Sequence, residues 1–169
     1  MADIAIEPAT FQTAFIVSMW RDSAAEAVAQ LEAALGFDLP KQPNQFTEES
    51  GCIAACLSPG RYLVLATSDQ LYPSVAARCD AGSVSLVQLD HSREAFRISG
   101  RRAARLLMKG VAIDLDENAF PVGSLFQSSI HDIGVAGFRR GASSFDLLVY
   151  KSFAHSFEHW LRDAAMEFS

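Results

Sequence analysis

Basic charge is scarce in this chain: 14 lysines and arginines stand against 20 aspartates and glutamates, giving a net charge of −6 and an isoelectric point near 5.1. Binding nucleic acid through its phosphates needs a basic face, so nucleic acid is excluded as the main ligand, and a polybasic membrane surface with it. Cysteine is scarce as well. Cys52, Cys56 and Cys79 cannot all pair, and a C-x3-C without a second ligand pair is no zinc knuckle. Buried free thiols in a reducing cytosol are the expectation. Long apolar runs are missing: "AFIVSMW" falls far short of the ~20 residues that a spanning helix needs. The opening "MADIAIEPAT" shows no basic n-region and no apolar core, so no signal peptide is visible and the cytoplasm is the expected location. There is no G-x-G-x-x-G, no P-loop, and no G-x-S-x-G around Ser58, Ser128 or Ser129. Nucleotide binding and serine-hydrolase chemistry are therefore not signalled.

Apolar residues are plentiful. They make up 50% of the 169 positions, and mean hydropathy is +0.13. This length favours one domain, 1–169, with a core that needs neither disulfide nor metal. Surplus apolar surface often ends in an interface.

Aromatic and β-branched residues predict a strand over 11–20. Ser23 and Glu26 have capping-box spacing, and Ala24, Ala27, Val28, Leu31, Ala34 and Leu35 fall on one helical face that stops at Gly36. Residues 38–50 predict a surface loop. "CIAACL" and "RYLVLAT" flank Pro59-Gly60, which suits a type II turn and a hairpin. A short helix is expected over 69–79. "SVSLVQLD" and "EAFRIS" predict two strands joined by a turn at His91 and Ser92. "GRRAARLLMKG" predicts a helix with Ala103, Leu106 and Leu107 inward, followed by a loop over 111–124. Three strands then fall at 125–131, 133–139 and 144–150. Phe153, Phe157, Trp160, Leu161, Ala164 and Phe168 make the apolar stripe of a last helix. The order lacks βαβ alternation, which predicts an α+β fold with largely antiparallel sheets and about four helices.

Two patterns invite a metal. "HDIG", His131 to Gly134, looks like the signature of HD-type metal phosphohydrolases, with His91 upstream and Asp146 downstream. Those enzymes set the His-Asp pair on a helix, whereas the surroundings here predict strands, on which neighbouring side chains diverge. A polar pair near a hairpin turn is the expectation. His155 and His159 stand at i, i+4 with Glu158 between them, but H-S-F-E-H displaces the acid from H-E-x-x-H. A solvated or interface-edge pair is expected. Arg93, Arg97, Arg101, Arg102 and Arg105 fit either an anionic ligand or a solvated face. No catalytic, cofactor or metal residue emerges, and the residues point toward a binding or assembly role.

The second half carries a family likeness. Asp90, Ser92, Ile98, Ser99 and Gly100 form a D-x-S run ending in I-S-G. Leu107, Lys109, Gly110, Asp114 and Leu115 follow in an L-x-K-G segment, then Phe120, Pro121 and Gly123 in an F-P-x-G turn. Lys151, Ser152, Phe153 and Ala154 precede an aromatic helix with Trp160. From about residue 58 onward the chain resembles the gamma subunit of heterotetrameric sarcosine oxidase, with "GRYLVLAT" matching another family segment. Val111, Ala112 and Lys151 stand where the family pattern has Cys, Pro and Arg.

The resemblance implies a fold like the folate-binding fold of aminomethyltransferases and of tRNA-modifying GTPase N-terminal domains. It implies a complex that oxidatively demethylates sarcosine to glycine, with FAD, FMN and NAD on its large subunits, zinc on the delta subunit, and tetrahydrofolate in the complex. It implies that this chain packs on the large alpha subunit, with beta and delta as further partners, and is not assigned the oxidation chemistry. A stand-alone folate or one-carbon-binding protein on the same fold is the alternative. For docking, the candidate surface is Arg101, Arg102 and Arg105 as a rim around Phe120 and Pro121. Phe120 is expected either as an exposed anchor or as a plug of its own core.

Overall fold

The computed structural model describes residues 3–168. In chain order the elements are β1 (Ala5–Ala9), β2 (Thr13–Met19), α1 (Ala24–Leu35), β3 (Gln45–Glu49), β4 (Cys52–Ser58), β5 (Arg61–Ala66), α2 (Leu71–Arg78), β6 (Val84–Gln88), β7 (Arg93–Ser99), α3 (Ala103–Leu107), β8 (Leu125–Ile130), β9 (Ile133–Gly141), β10 (Ser144–Tyr150) and α4 (Ala154–Ala165). The chain divides into two compact units, Thr10–Asp90 and the remainder, each built on one five-stranded antiparallel sheet. The α+β class and the antiparallel pairing agree with the sequence expectation.

The two units repeat one topology. The Thr10–Asp90 sheet runs β3-β4-β5-β2-β6; the other runs β8-β9-β10-β7-β1. Each begins with a strand and a helix, continues with three antiparallel strands and a second helix, and ends with an edge strand beside the first strand. The second unit takes that edge strand from the chain's beginning, as β1. Sequence follows suit: "AFIVS" of β2 and "AFRIS" of β7 both turn Phe and the second following residue inward, Phe15 with Val17 and Phe96 with Ile98.

Alternation explains each core. In Thr10–Asp90, Phe15, Val17, Ala54, Cys56, Tyr62 and Val64 share the sheet face that Leu31 of α1 and Val75 of α2 cover. In the other unit, Phe96, Ile98, Phe145, Leu147 and Val149 meet Leu106 of α3 and Phe157 and Leu161 of α4.

Several elements differ from expectation. β1 was not legible, because five residues containing Pro8 give a weak strand signal; an edge strand tolerates the missing N–H. β3 lies inside the expected 38–50 loop. β6 and β7 are joined at His91 and Ser92 as expected, but each pairs within a different sheet, so that turn links the two units. Ser23 makes no cap hydrogen bond, since a 3₁₀ turn, Arg21–Ser23, precedes α1. Gly36 does stop that helix, with φ 86°. Phe153 sits 48% exposed, because α4 starts only at Ala154 and a 3₁₀ turn puts Phe153 out of its phase.

The loop between α3 and β8 is folded onto the sheet. Phe120 is buried at 8% exposure and packs against Phe126, ring centroids 5.8 Å apart. The exposed-anchor expectation for Phe120 therefore gives way to the core alternative. Arg139, 3% exposed, donates from Nη1 to the carbonyls of Leu115 (2.8 Å) and Phe120 (2.9 Å) and from Nη2 to that of Ala142 (2.6 Å). It also lies over the Phe145 ring, 5.1 Å from its centroid. Opposite Gly137 in register stands Phe126, whose ring covers the glycine so closely that an added Cβ would lie 2.2 Å from it.

Phe120→Ala is expected to destabilise by about 3–5 kcal/mol, the cost of a large cavity in a packed core. The melting temperature should fall on the order of 10 °C. Gly137→Ala, which forces the Phe126 ring aside, should cost about 1–3 kcal/mol. Thermal unfolding by circular dichroism checks both, and an unshifted Gly137→Ala melting curve would contradict the ring-over-glycine contact.

Candidate functional site

The "HDIG" pair closes a hairpin. Ile130 pairs with Ile133, and His131 and Asp132 between them have φ 47° and 64°, as a two-residue type I′ turn requires. Both side chains are exposed, and His131 rests against Trp160, centroids 5.5 Å apart. Asp146 lies elsewhere. It opposes Phe138, on the order of 15–20 Å along β9 from the turn at the usual strand rise. It is 1% exposed and accepts two hydrogen bonds from Arg97 (2.7 and 2.8 Å) and one from Arg140. A carboxylate bound this way by two arginines is a structural ion pair. His155 and His159 are both exposed on α4, and His159 faces Asp163 within the helix at 3.3 Å. Among the described residues no group of three His, Cys, Asp or Glu converges as metal ligands.

Other family-like residues also have architectural tasks. Asp90 accepts from the Ala14 amide (2.7 Å) and the Thr13 hydroxyl (2.9 Å), tying the end of one strand run to the start of β2. Gly123, φ 88°, allows the Pro121–Ser124 turn to close with a 3.1 Å backbone bond. Gly110 lies directly beneath Trp160: a Cβ there would stand 2.7 Å from the indole.

The expected arginine cluster splits. Arg97 is committed to Asp146, and the Arg93 guanidinium stacks over Tyr150 at 3.6 Å. Arg101, Arg102 and Arg105 remain together and exposed around α3. Arg101 bonds Asp3, and Arg102 stands 3.8 Å from the same carboxylate; the Arg101 hydrogen bond and charge hold the Asp3 carboxyl below its ordinary range. Lys109 donates to the Ala164 carbonyl (3.1 Å), at the negative end of α4, and to Glu167 (2.7 Å). The Lys109 hydrogen bond and charge, with a smaller contribution from Arg105, hold the Glu167 carboxyl low. Pro121 is exposed, but its neighbour Phe120 is spent on the core. The sequence reading missed Met108 and Met166, which stand out from this corner at 41% and 70% exposure. Their signal was an apolar residue outside the helical stripe.

Thr10–Asp90 holds an open cleft of about 520 Å³ between the end of α1, the β3–β4 turn and the start of α2, with Gly36, Ser50, Cys52, Thr67 and Ser74 in its wall. In the other unit the corresponding corner, beside Gly110 and the His131 turn, is filled by Trp160. Cys52 in its wall is not an activated nucleophile: burial first, and the Glu48 charge second, push its thiol up to about 11.

Comparison with known proteins bears on the whole chain. The family model for the sarcosine oxidase gamma subunit family matches residues 21–167. The sarcosine oxidase subunit gamma of an Arthrobacter species is 29% identical over 143 residues, 83% of this chain and 70% of the relative. That of Corynebacterium sp. (strain U-96) is similar to the same extent. A chain of the heterotetrameric sarcosine oxidase from Corynebacterium sp. U-96, solved with pyrrole 2-carboxylate, has a TM-score of 0.90 at 27% identity, covering 98% of this chain and 85% of that one. The glycine cleavage system aminomethyltransferase T from Bartonella henselae shares the fold, with a TM-score of 0.66 at 16% identity over 95% of this chain and 45% of that one. No helix of the described residues is long and apolar enough to cross a membrane.

The buried thiols set an alkaline limit. Burial also raises Cys56 and Cys79 above the ordinary 9.0. The folded chain then holds these protons where the unfolded chain has released them, so stability is full below about pH 9 and falls as pH rises toward 11. Denaturant midpoints across pH 8–11 should show this fall, and Cys52→Ala should make it shallower. An identical slope in the variant would remove Cys52 as its source.

Proposed function

Since the chain belongs to the sarcosine oxidase gamma subunit family, we propose that it is the gamma subunit of a heterotetrameric sarcosine oxidase and serves that complex structurally. The observation that carries this reading is the near-complete superposition on a chain of such an oxidase, at a TM-score of 0.90. The family-like residues support a structural role. Asp90, Gly110, Gly123 and Trp160 each hold one element against another, and none is gathered at a reacting centre.

The complex would oxidise sarcosine to glycine on flavin held by its other subunits, with folate as the one-carbon acceptor. This chain signals neither the flavin nor a zinc ion. Its sequence has no phosphate-binding glycine turn, and its described His, Cys, Asp and Glu side chains do not assemble a zinc site. The partners are the large alpha subunit and, with it, beta and delta. Three buried free thiols suit a reducing compartment, so we place the complex in the cytoplasm.

Expressed alone, the chain should show no flavin absorbance and no sarcosine-dependent peroxide formation; co-expressed with the other subunits, it should co-purify with them. Flavin bound to the isolated chain would overturn the structural role. Titration with tetrahydrofolate separates the stand-alone alternative, since micromolar binding by the isolated chain would favour a folate-binding protein on the same fold.

A further inference from the structure

The corner formed by α3 and the end of α4 is built unlike the rest of this acidic chain. Arg101, Arg102, Arg105 and Lys109 meet there, with the carboxylates of Asp3 and Glu167 as their partners among the described residues. The chain as a whole carries −6, so this cationic excess runs against its overall sign. On α4 itself Arg162 answers Glu158, and His159 faces Asp163, so that helix keeps its outward charges within itself.

The cations are also held in place. Lys109 is anchored on the Ala164 carbonyl and Glu167. The Arg102 guanidinium and the Lys109 ammonium both lie over the Phe168 ring, at 5.8 and 5.5 Å. Fixing long side chains before association lowers the ordering cost that binding must meet. Two exposed methionines, Met108 and Met166, stand at this same corner. Methionine adapts to irregular apolar surfaces, and with arginine it is enriched at the centres of protein interfaces.

We infer that this corner is the chain's docking surface for a protein partner that presents an apolar depression rimmed by carboxylates. The inference rests on the gamma-subunit reading and deepens it: the partner is the large subunit of the oxidase, and this is the surface it meets. Two copies of the same cationic corner repel one another, which disfavours self-association. A polyanionic nucleic acid has no use for the two methionines and meets a chain of net negative charge. Of the surface expected from sequence, Arg101, Arg102 and Arg105 are kept, and Met108 and Met166 take the place assigned to Phe120.

The test uses the full chain, co-expressed with the large subunit, as wild type, Met166→Glu and Arg105→Glu. Both substituted side chains are exposed, so melting temperatures should stay within a few degrees of wild type. Co-purification and measured affinity should fall at least tenfold in each variant, and raised salt should weaken wild type more than Arg105→Glu. Wild-type affinity in both variants would place the dock elsewhere. Failure of the wild-type chain itself to assemble with any oxidase subunit would instead overturn the gamma-subunit reading, and this inference with it. A wild-type homodimer that Met166→Glu converts to monomer would assign the corner to a second copy, against the proposal.

Discussion

A single buried cation ties the Ala5–Ala9 and Arg93–Ala165 unit together. Arg139 sits inside its sheet and spends its hydrogen bonds on three backbone carbonyls, two of them in the loop that runs from α3 to β8. Among the described residues no carboxylate pairs with it, and its Nε has no partner. Burying a guanidinium costs heavily unless its N–H groups are met. Here the carbonyl dipoles and the Phe145 ring face supply the compensation. The geometry works in both directions. The loop keeps its course because its carbonyls satisfy the arginine, and Phe120 reaches Phe126 because the loop is held down.

The repeated topology explains how one chain supports two such cores. Each unit places two helices on one face of a five-stranded sheet, and the repeat ends on an edge strand next to its first strand. The second unit recruits β1 for that edge, so the beginning of the chain is a structural part of its latter half. The repeat is uneven in one corner. Trp160 fills it in one unit, pressed on Gly110, while in the other the same corner beside Gly36 is open. An added side chain at Gly36 would meet nothing nearby, whereas at Gly110 it would collide with the indole.

The patterns that suggested catalysis were turned to other ends by local geometry. His131 and Asp132 are the left-handed pair of a hairpin turn, both exposed, with His131 beside Trp160. Asp146 lies in the middle of β10, neutralised by two arginines. What remains functional in character is surface: cations held on a ring and on a helix end, with methionines beside them. That is the chemistry of association, and it accords with a family of subunits.

Local periodicity by itself determined most strands and helices, because alternation and the 3.6-residue stripe depend only on which side chains must leave water. It also determined the Pro59-Gly60 hairpin and the Gly36 stop, where backbone conformation follows from residue type. The motif runs pointed to the family. Tertiary structure alone decided that β6 and β7 part into different sheets, because pairing partners are chosen by long-range registry that adjacent strands do not encode. It also decided the fate of Phe120. An aromatic residue in a loop is equally compatible with solvent and with a core, and only the distant Arg139 and Phe126 draw it inward. The proposed docking corner was half legible for the same reason: the arginines are consecutive enough to see, but the segment that follows α4, with Met166 and Phe168, comes to them only through the fold.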